Sequence, residues 1–228
     1  MTVLMPRCFE GVEAVLFDLD GTLADTAPDL GGALNRLRLR RGLAALPLEA
    51  LRPVASAGAR GLLAVGLGTT PQDPGYEALR DEFLAEYEAA LDRDSCLFAG
   101  TRALLDAIVA RGLRWGVVTN KAMRFAAPVV RSLDLGDAAV LIAGDSTAHP
   151  KPHPAPLLAA CVLLGLRPAQ CIYVGDDLRD VQAAHAAGMA AVAAGWGYLG
   201  EDGDAGRWGA EALIQAPKEL LDLLDQPG

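Results

Sequence analysis

A short, largely apolar run from Val12 to Phe17 ends in Asp18-Leu19-Asp20-Gly21-Thr22-Leu23-Ala24-Asp25-Thr26, and this junction restricts the possible folds more than any other stretch of the chain. A run of that length, closed by a turn signal, reads as a buried strand. Strand alternation sets Asp18 and Asp20 on the same side as the chain leaves it. Two carboxylates held that close repel, and both are hard to keep ionised without a cation. The junction therefore predicts a site that uses a divalent metal, with a carboxylate free to act as nucleophile or as acid and base.

Further strand candidates recur at Leu113–Val118, Val140–Ile142, Cys171–Val174 and Ala190–Ala193. Helical patterns separate most of them, at Thr101–Arg111, Met123–Leu133, Pro154–Leu164 and Leu178–Ala187, and Pro217–Leu224 reads as a final helix. This alternation predicts an α/β fold: a Rossmann-like parallel sheet with helices on both faces. Such sheets place ligands beyond the carboxyl ends of their strands. Pro28 to Leu91 breaks the alternation. Leu30-Ala33-Leu34-Leu37, Leu62-Leu63-Val65-Gly66 and Leu79-Phe83-Tyr87 all follow helical spacing, with breaks at Gly42, Pro47, Pro53, Gly58 and Gly68 to Gly75. We expect residues 25–96 to form an all-helical insert, with residues 1–24 and 97–228 forming the α/β core.

At 228 residues and 52% hydrophobic, the chain can bury a large core. The net charge of −9, scattered Lys and Arg and only 5% aromatics argue against nucleic acid as a partner. Cys8, Cys96, Cys161 and Cys171 form no CxxC pair or zinc-type spacing, so reduced, structural cysteines are expected. Met1 to Glu10 lacks the apolar run of a signal peptide, and no apolar stretch is long enough to span a bilayer. These features predict a cytoplasmic protein with no membrane partner.

Four segments that follow strand candidates carry the chemistry. They are the Asp18/Asp20 junction, Val117-Val118-Thr119-Asn120-Lys121, His149-Pro150-Lys151-Pro152-His153-Pro154, and Tyr173-Val174-Gly175-Asp176-Asp177-Leu178-Arg179-Asp180. Gathered at one sheet edge, they suit phosphoryl transfer, which needs donors and cations around spread negative charge. Thr119 supplies a hydroxyl, with the Asn120 amide beside it. Lys151 supplies a point charge, and N–H groups after Asp18 add further donors. Asp18, the backbone carbonyl of Asp20, and Asp176 can hold a hard cation. All-oxygen ligands favour Mg²⁺.

DxDGTLxDT, a strand-terminal Thr, Lys in a KPxP loop and GDxxxD occur here in one order, and together they resemble the haloacid dehalogenase superfamily. The resemblance implies that the helical insert is a cap and that Mg²⁺ is the cofactor. Asp18 would attack phosphorus, while Asp20 would protonate the leaving group and then deprotonate the hydrolytic water. Thr119, Asn120 and Lys151 would hold the phosphate. Asp176 would bind metal in preference to Asp177, with Asp180 behind it orienting Lys151 or a metal-bound water. Within the superfamily the chain is similar to the phosphoglycolate phosphatase-like branch. Gly58-Ala59-Arg60, Trp115 to Lys121, Arg124-Phe125-Ala126, Gly175 to Asp180 and Arg207-Trp208-Gly209-Ala210 resemble the phosphatases of bacterial peptidoglycan recycling that act on N-acetylmuramic acid 6-phosphate. The expected partner is a small phosphorylated metabolite bearing a carboxylate. Arg60 is the candidate to read that carboxylate, because Arg forks onto carboxylates.

Other readings are weaker. An EF-hand loop would need a later Gly and a terminal Glu. Gly195 to Gly200 fits GxGxxG, but Glu201-Asp202-Gly203-Asp204 follows and would repel a pyrophosphate, so it reads as a loop beside the site. His149, His153 and His185 share no metal-ligand spacing; the first two are expected to shape the Lys151 loop. 2-Phosphoglycolate hydrolysis and phosphomutase chemistry remain as alternative activities. Dehalogenation needs neither a metal nor a second acid at Asp20, and a non-catalytic scaffold would have lost one of the parts.

Overall fold

The computed structural model describes residues 9–200 and 203–224. Cys8, most of the N-terminal segment, and Glu201 and Asp202 lie outside them. The elements run β1 (Ala14–Phe17), β2 (Ala24–Asp25), α1 (Ala27–Arg40), α2 (Leu48–Leu51), α3 (Gly58–Leu67), α4 (Tyr76–Glu88), β3 (Cys96–Leu97), α5 (Thr101–Ala110), β4 (Arg114–Val118), α6 (Met123–Ser132), β5 (Leu141–Ile142), α7 (Ala155–Leu164), β6 (Cys171–Gly175), α8 (Leu178–Ala187), β7 (Ala190–Ala194), β8 (Ala212–Ile214) and α9 (Glu219–Leu224). Short 3-10 segments stand at Arg52–Ala57, Pro168–Gln170 and Ala205–Arg207.

Strands β5-β4-β1-β6-β7-β8 form one parallel sheet in that order. Period-2 alternation divides the core. Val15, Phe17, Val117, Ile172 and Val174 face α5, α6 and α9, packing on Leu104, Leu105, Ile108, Val129, Leu220 and Leu223. Ala14, Leu16, Val118, Tyr173 and Ala191 face α7 and α8, packing on Leu157, Cys161, Val181 and Ala184. Both faces are therefore covered, which is why these strands read as continuous apolar runs. The chain order reverses beside β1, so the carboxyl ends of β4, β1 and β6 open into one crevice.

The expected strands and helices are present. Three strands were not anticipated. β8 is a three-residue edge strand beside β7. β2 and β3 are two-residue strands that pair antiparallel, Ala24 with Leu97 and Asp25 with Cys96. Both crossings between sheet and insert thus leave side by side.

Helices α1 to α4 lie between β2 and β3. Leu30, Ala33, Leu34 and Leu37 of α1 pack with Leu62 and Leu63 of α3 and with Phe83 and Tyr87 of α4. Gly66 lets α3 approach α1, because a Cβ there would fall 2.6 Å from the Leu34 methyls. Val65, which the helical spacing grouped with this face, is 44% exposed instead. Helix α1 is capped from outside itself. Thr26 occupies the N-cap position without a side-chain cap bond. The Thr26 and Ala27 N–H groups instead donate to the Tyr198 hydroxyl, at 2.7 and 2.9 Å. Among the described residues, no helix is long and apolar enough to cross a membrane. Cys161 and Cys171 are buried with their sulfurs 4.0 Å apart and are not bonded to one another.

Candidate active site

Each strand end delivers one part of the site. After β1 the backbone turns sharply at Gly21, which has a φ of +85°. A side chain there would collide with the Asp176 carboxylate, so both the conformation and the space require glycine. Asp18 Oδ1 accepts from its neighbour's Leu19 N–H at 2.7 Å and from Lys151 Nζ at 3.0 Å. That leaves Asp18 Oδ2 without a protein partner among the described residues.

Lys151 is the electrostatic centre. Its side chain is 2% exposed and lies 3.0 Å from Asp18 and 2.7 Å from Asp180. The ammonium also donates to the Val118 carbonyl at 3.1 Å and the Tyr173 hydroxyl at 2.7 Å. Burial works against its charge, but Asp18 and Asp180 outweigh that and hold its pKa above the usual lysine value. The loop that carries it is pinned by Asn120, whose amide donates to the Lys151 carbonyl and accepts from the Lys151 N–H, both at 2.9 Å. The Asn120 side chain is therefore engaged with protein backbone. Thr119 is 2% exposed and borders the cavity. His149 and His153 lie with ring centres 4.6 Å apart on the same loop.

After β6, Asp177 caps α8 by accepting from the Arg179 N–H at 2.9 Å, and Asp180 accepts from the Asp177 N–H at 3.1 Å. This reciprocal capping box aims Asp180 at Lys151. Asp176 is fully buried. It accepts from the Thr22 hydroxyl at 2.8 Å, the Tyr198 N–H at 2.8 Å and the Ser56 hydroxyl of the insert at 3.3 Å. Burial pushes its carboxyl well up, and Asp18 and Asp180 add to the shift. Burial also pushes Asp180 up to about 7, against the pull of Lys151. The glycine-rich turn at Gly195 to Gly200 does lie beside the site, with Gly197 packed against the Asp176 side chain.

Asp18, Asp176 and Asp180 each offer an oxygen within 4.8 Å of the others. Three buried carboxylates around one lysine leave an excess of negative charge, and the donors are all oxygen. This set fits a hard divalent cation.

Each carboxylate of the first junction lies against its own lysine, Asp18 against Lys151 and Asp20 against Lys121. Lys121 Nζ stands 2.8 Å from Asp20 Oδ1. The Thr26 hydroxyl donates to the same oxygen. Asp180, expected to orient Lys151 or a metal-bound water, lies 2.7 Å from Lys151 and also offers an oxygen to the carboxylate cluster.

A cavity of about 280 Å³ opens above these groups. Asp18, Asp20, Thr119, Asn120, Lys151 and Asp180 border it from the sheet, and Leu30, Phe83, Leu84 and Tyr87 border it from the insert. Arg60 is exposed and borders not the main cavity but a second one, which shares Ala57, Asp177 and Arg179 with it. Arg124 does border the main cavity, its guanidinium 4.4 Å from the Phe125 ring centre. Sequence reasoning missed Arg124, Ser56, Tyr87 and the pairing of Lys121. Lys121 and Arg124 carried a signal, within the Trp115–Lys121 and Arg124-Phe125-Ala126 stretches.

A family model described as haloacid dehalogenase-like hydrolase matches residues 12–188. An N-acetylmuramic acid 6-phosphate phosphatase of Pseudomonas aeruginosa is 40% identical, over 94% of this chain and 96% of its own length. A phosphoglycolate phosphatase of Xanthomonas campestris is 46% identical, over 92% and 95%. A crystal structure from Haemophilus somnus, described as a predicted phosphoglycolate phosphatase, superposes with a TM-score of 0.79 at 25% identity, covering 93% of this chain and 98% of that one.

Proposed function

The chain belongs to the haloacid dehalogenase-like hydrolases and is a phosphatase, and from that premise we propose that it hydrolyses N-acetylmuramic acid 6-phosphate in the cytoplasm through an aspartyl-phosphate on Asp18, with residues 25–96 as its cap. The observation that carries the chemistry is Asp18 in the cavity lining, its Oδ1 held by Lys151 and Leu19 and its Oδ2 without a protein partner among the described residues. That oxygen attacks phosphorus. Lys151 and the Thr119 hydroxyl hold the phosphoryl oxygens as charge builds on them. Asp20 gives its proton to the leaving oxygen and later takes one from the hydrolytic water. Asp18, the Asp20 carbonyl, Asp176 and Asp180 would hold Mg²⁺. When bound, that ion lets the anionic nucleophile approach an anionic substrate.

The choice of substrate is supported by the wall opposite the carboxylates. Leu30, Phe83, Leu84 and Phe125 give an apolar surface suited to a sugar bearing acetamide and lactyl groups. Arg124, in place of Arg60, is positioned at the cavity to meet the lactyl carboxylate. The 46% identity to a phosphoglycolate phosphatase favours 2-phosphoglycolate as the second reading. Phosphate release with Mg²⁺ from both compounds tests the choice. The sugar phosphate is expected to show the higher kcat/KM by at least about tenfold, and Asp18→Asn is expected to abolish turnover of both. Preference for 2-phosphoglycolate would overturn the substrate, and activity in Asp18→Asn would overturn the mechanism.

A further inference from the structure

Lys121 is a cation that the catalytic scheme above does not use. Its side chain is 7% exposed and stands at the seam between core and insert. Its ammonium makes an ion pair at 2.8 Å with Asp20 Oδ1 and lies 5.0 Å from the centre of the Tyr87 ring. Asp20 and Lys121 belong to loops of the sheet, whereas Tyr87 belongs to α4 of the insert. Asp20 Oδ1 receives two donors, Lys121 and the Thr26 hydroxyl, and Oδ2 has no protein partner among the described residues. The two oxygens are thus made unequal: one is held, and the other, on a residue that lines the cavity, has no such partner among the described residues.

We infer that Lys121 is a positioning residue for Asp20. It fixes Oδ1 so that Oδ2 alone exchanges the proton with the leaving group, and the Tyr87 ring seats the ammonium when the insert covers the site. This inference rests on the phosphatase reading. In the step concerned, Asp18 Oδ2 bonds to phosphorus, the bond from phosphorus to the leaving oxygen breaks, and that oxygen takes the proton from Asp20 Oδ2. In the second step, water oxygen bonds to phosphorus, the bond to Asp18 breaks, and the water proton returns to Asp20 Oδ2. A cation in hydrogen-bond contact with one carboxylate oxygen, and seated on an aromatic face, restricts the rotation that would exchange the two oxygens. Lys121 itself touches no reacting atom.

The test uses leaving groups of different basicity. An alkyl phosphate needs the proton from Asp20, while p-nitrophenyl phosphate leaves without it. The constant kcat/KM covers only steps up to the aspartyl-phosphate, so it isolates this proton transfer. Lys121→Met is expected to lower kcat/KM for the alkyl phosphate by roughly a hundredfold and for p-nitrophenyl phosphate by under about tenfold. Lys121→Arg is expected to restore part of the alkyl-phosphate activity, and Tyr87→Leu to show the same bias in weaker form. Equal losses on both substrates, or no recovery with Arg, would overturn the positioning role. Equal losses in Tyr87→Leu would overturn the part given to the insert. If wild-type protein releases phosphate from neither compound with Mg²⁺, the phosphatase reading fails first, and that result is distinct from these.

Discussion

Lys151 shows how much depends on single side chains in this site. It is buried against two carboxylates, and removing it leaves both without a cation. Breaking such a pair costs about 3–5 kcal/mol. Lys151→Met is therefore expected to lower unfolding free energy by about that amount in urea and to reduce phosphate release at least about a thousandfold. The carboxylates also predict a pH effect. Burial raises Asp180 to about 7 and raises Asp176 as well, whereas an unfolded carboxylate titrates near 4. Between about pH 4 and pH 7 the folded metal-free protein thus holds more protons than the unfolded chain. The contribution of these groups is complete below about pH 4 and is lost as pH rises to about 7. Mg²⁺ binds only the ionised carboxylates, so the rise in Tm on adding it is expected to be larger near pH 8 than near pH 5.5. Melts with Mg²⁺ and with chelator check this, and equal shifts would contradict it. Asp18, Thr119, Lys151 and Asp176 were legible in the sequence because each follows a strand or sits in a proline-bounded loop. Ser56 and Tyr87 were not, because their approach to the site depends on how the insert folds over the sheet; Arg124 stood in a quoted motif, but its place at the cavity depends on how α6 packs beside β4.

The β2–β3 ribbon and its attachment to α1 hold the insert in place. Asp29, 3% exposed in the first turn of α1, accepts from the N–H groups of Asp92, Asp94 and Ser95 and from the Ser95 hydroxyl, at 2.6 to 3.3 Å. One carboxylate thereby ties the end of the insert to its beginning. Asp29→Ala strips those donors of their acceptor and is expected to cost about 3 kcal/mol, read by urea unfolding. A change below about 0.5 kcal/mol would show that water replaces the carboxylate. The long elements were legible because apolar periodicity marks any segment that buries a face. The ribbon and β8 were not, since two or three residues carry no period. The capping of α1 was hidden for another reason. Thr26 has the residue type and place of an N-cap, yet its hydroxyl goes to Asp20, and Tyr198 from a distant turn serves the helix instead.

Insert and sheet meet directly above the carboxylates. Ser56 reaches Asp176, Arg179 donates to the Ser56 carbonyl at 2.8 Å, and Arg52 pairs with Asp25 at 2.6 Å while lying over the Tyr198 ring. The fold thus brings four separate loops under a helical cover, and the account requires that the enclosed Asp18 form a bond to the substrate's phosphorus. Acid quench during turnover, followed by mass analysis of the peptide that contains Asp18, tests this most directly. One added phosphoryl group on that peptide is expected in the wild type with Mg²⁺ and substrate, and none in Asp18→Asn. Steady turnover without any phosphorylated Asp18 peptide, or turnover that survives Asp18→Asn, would contradict the account.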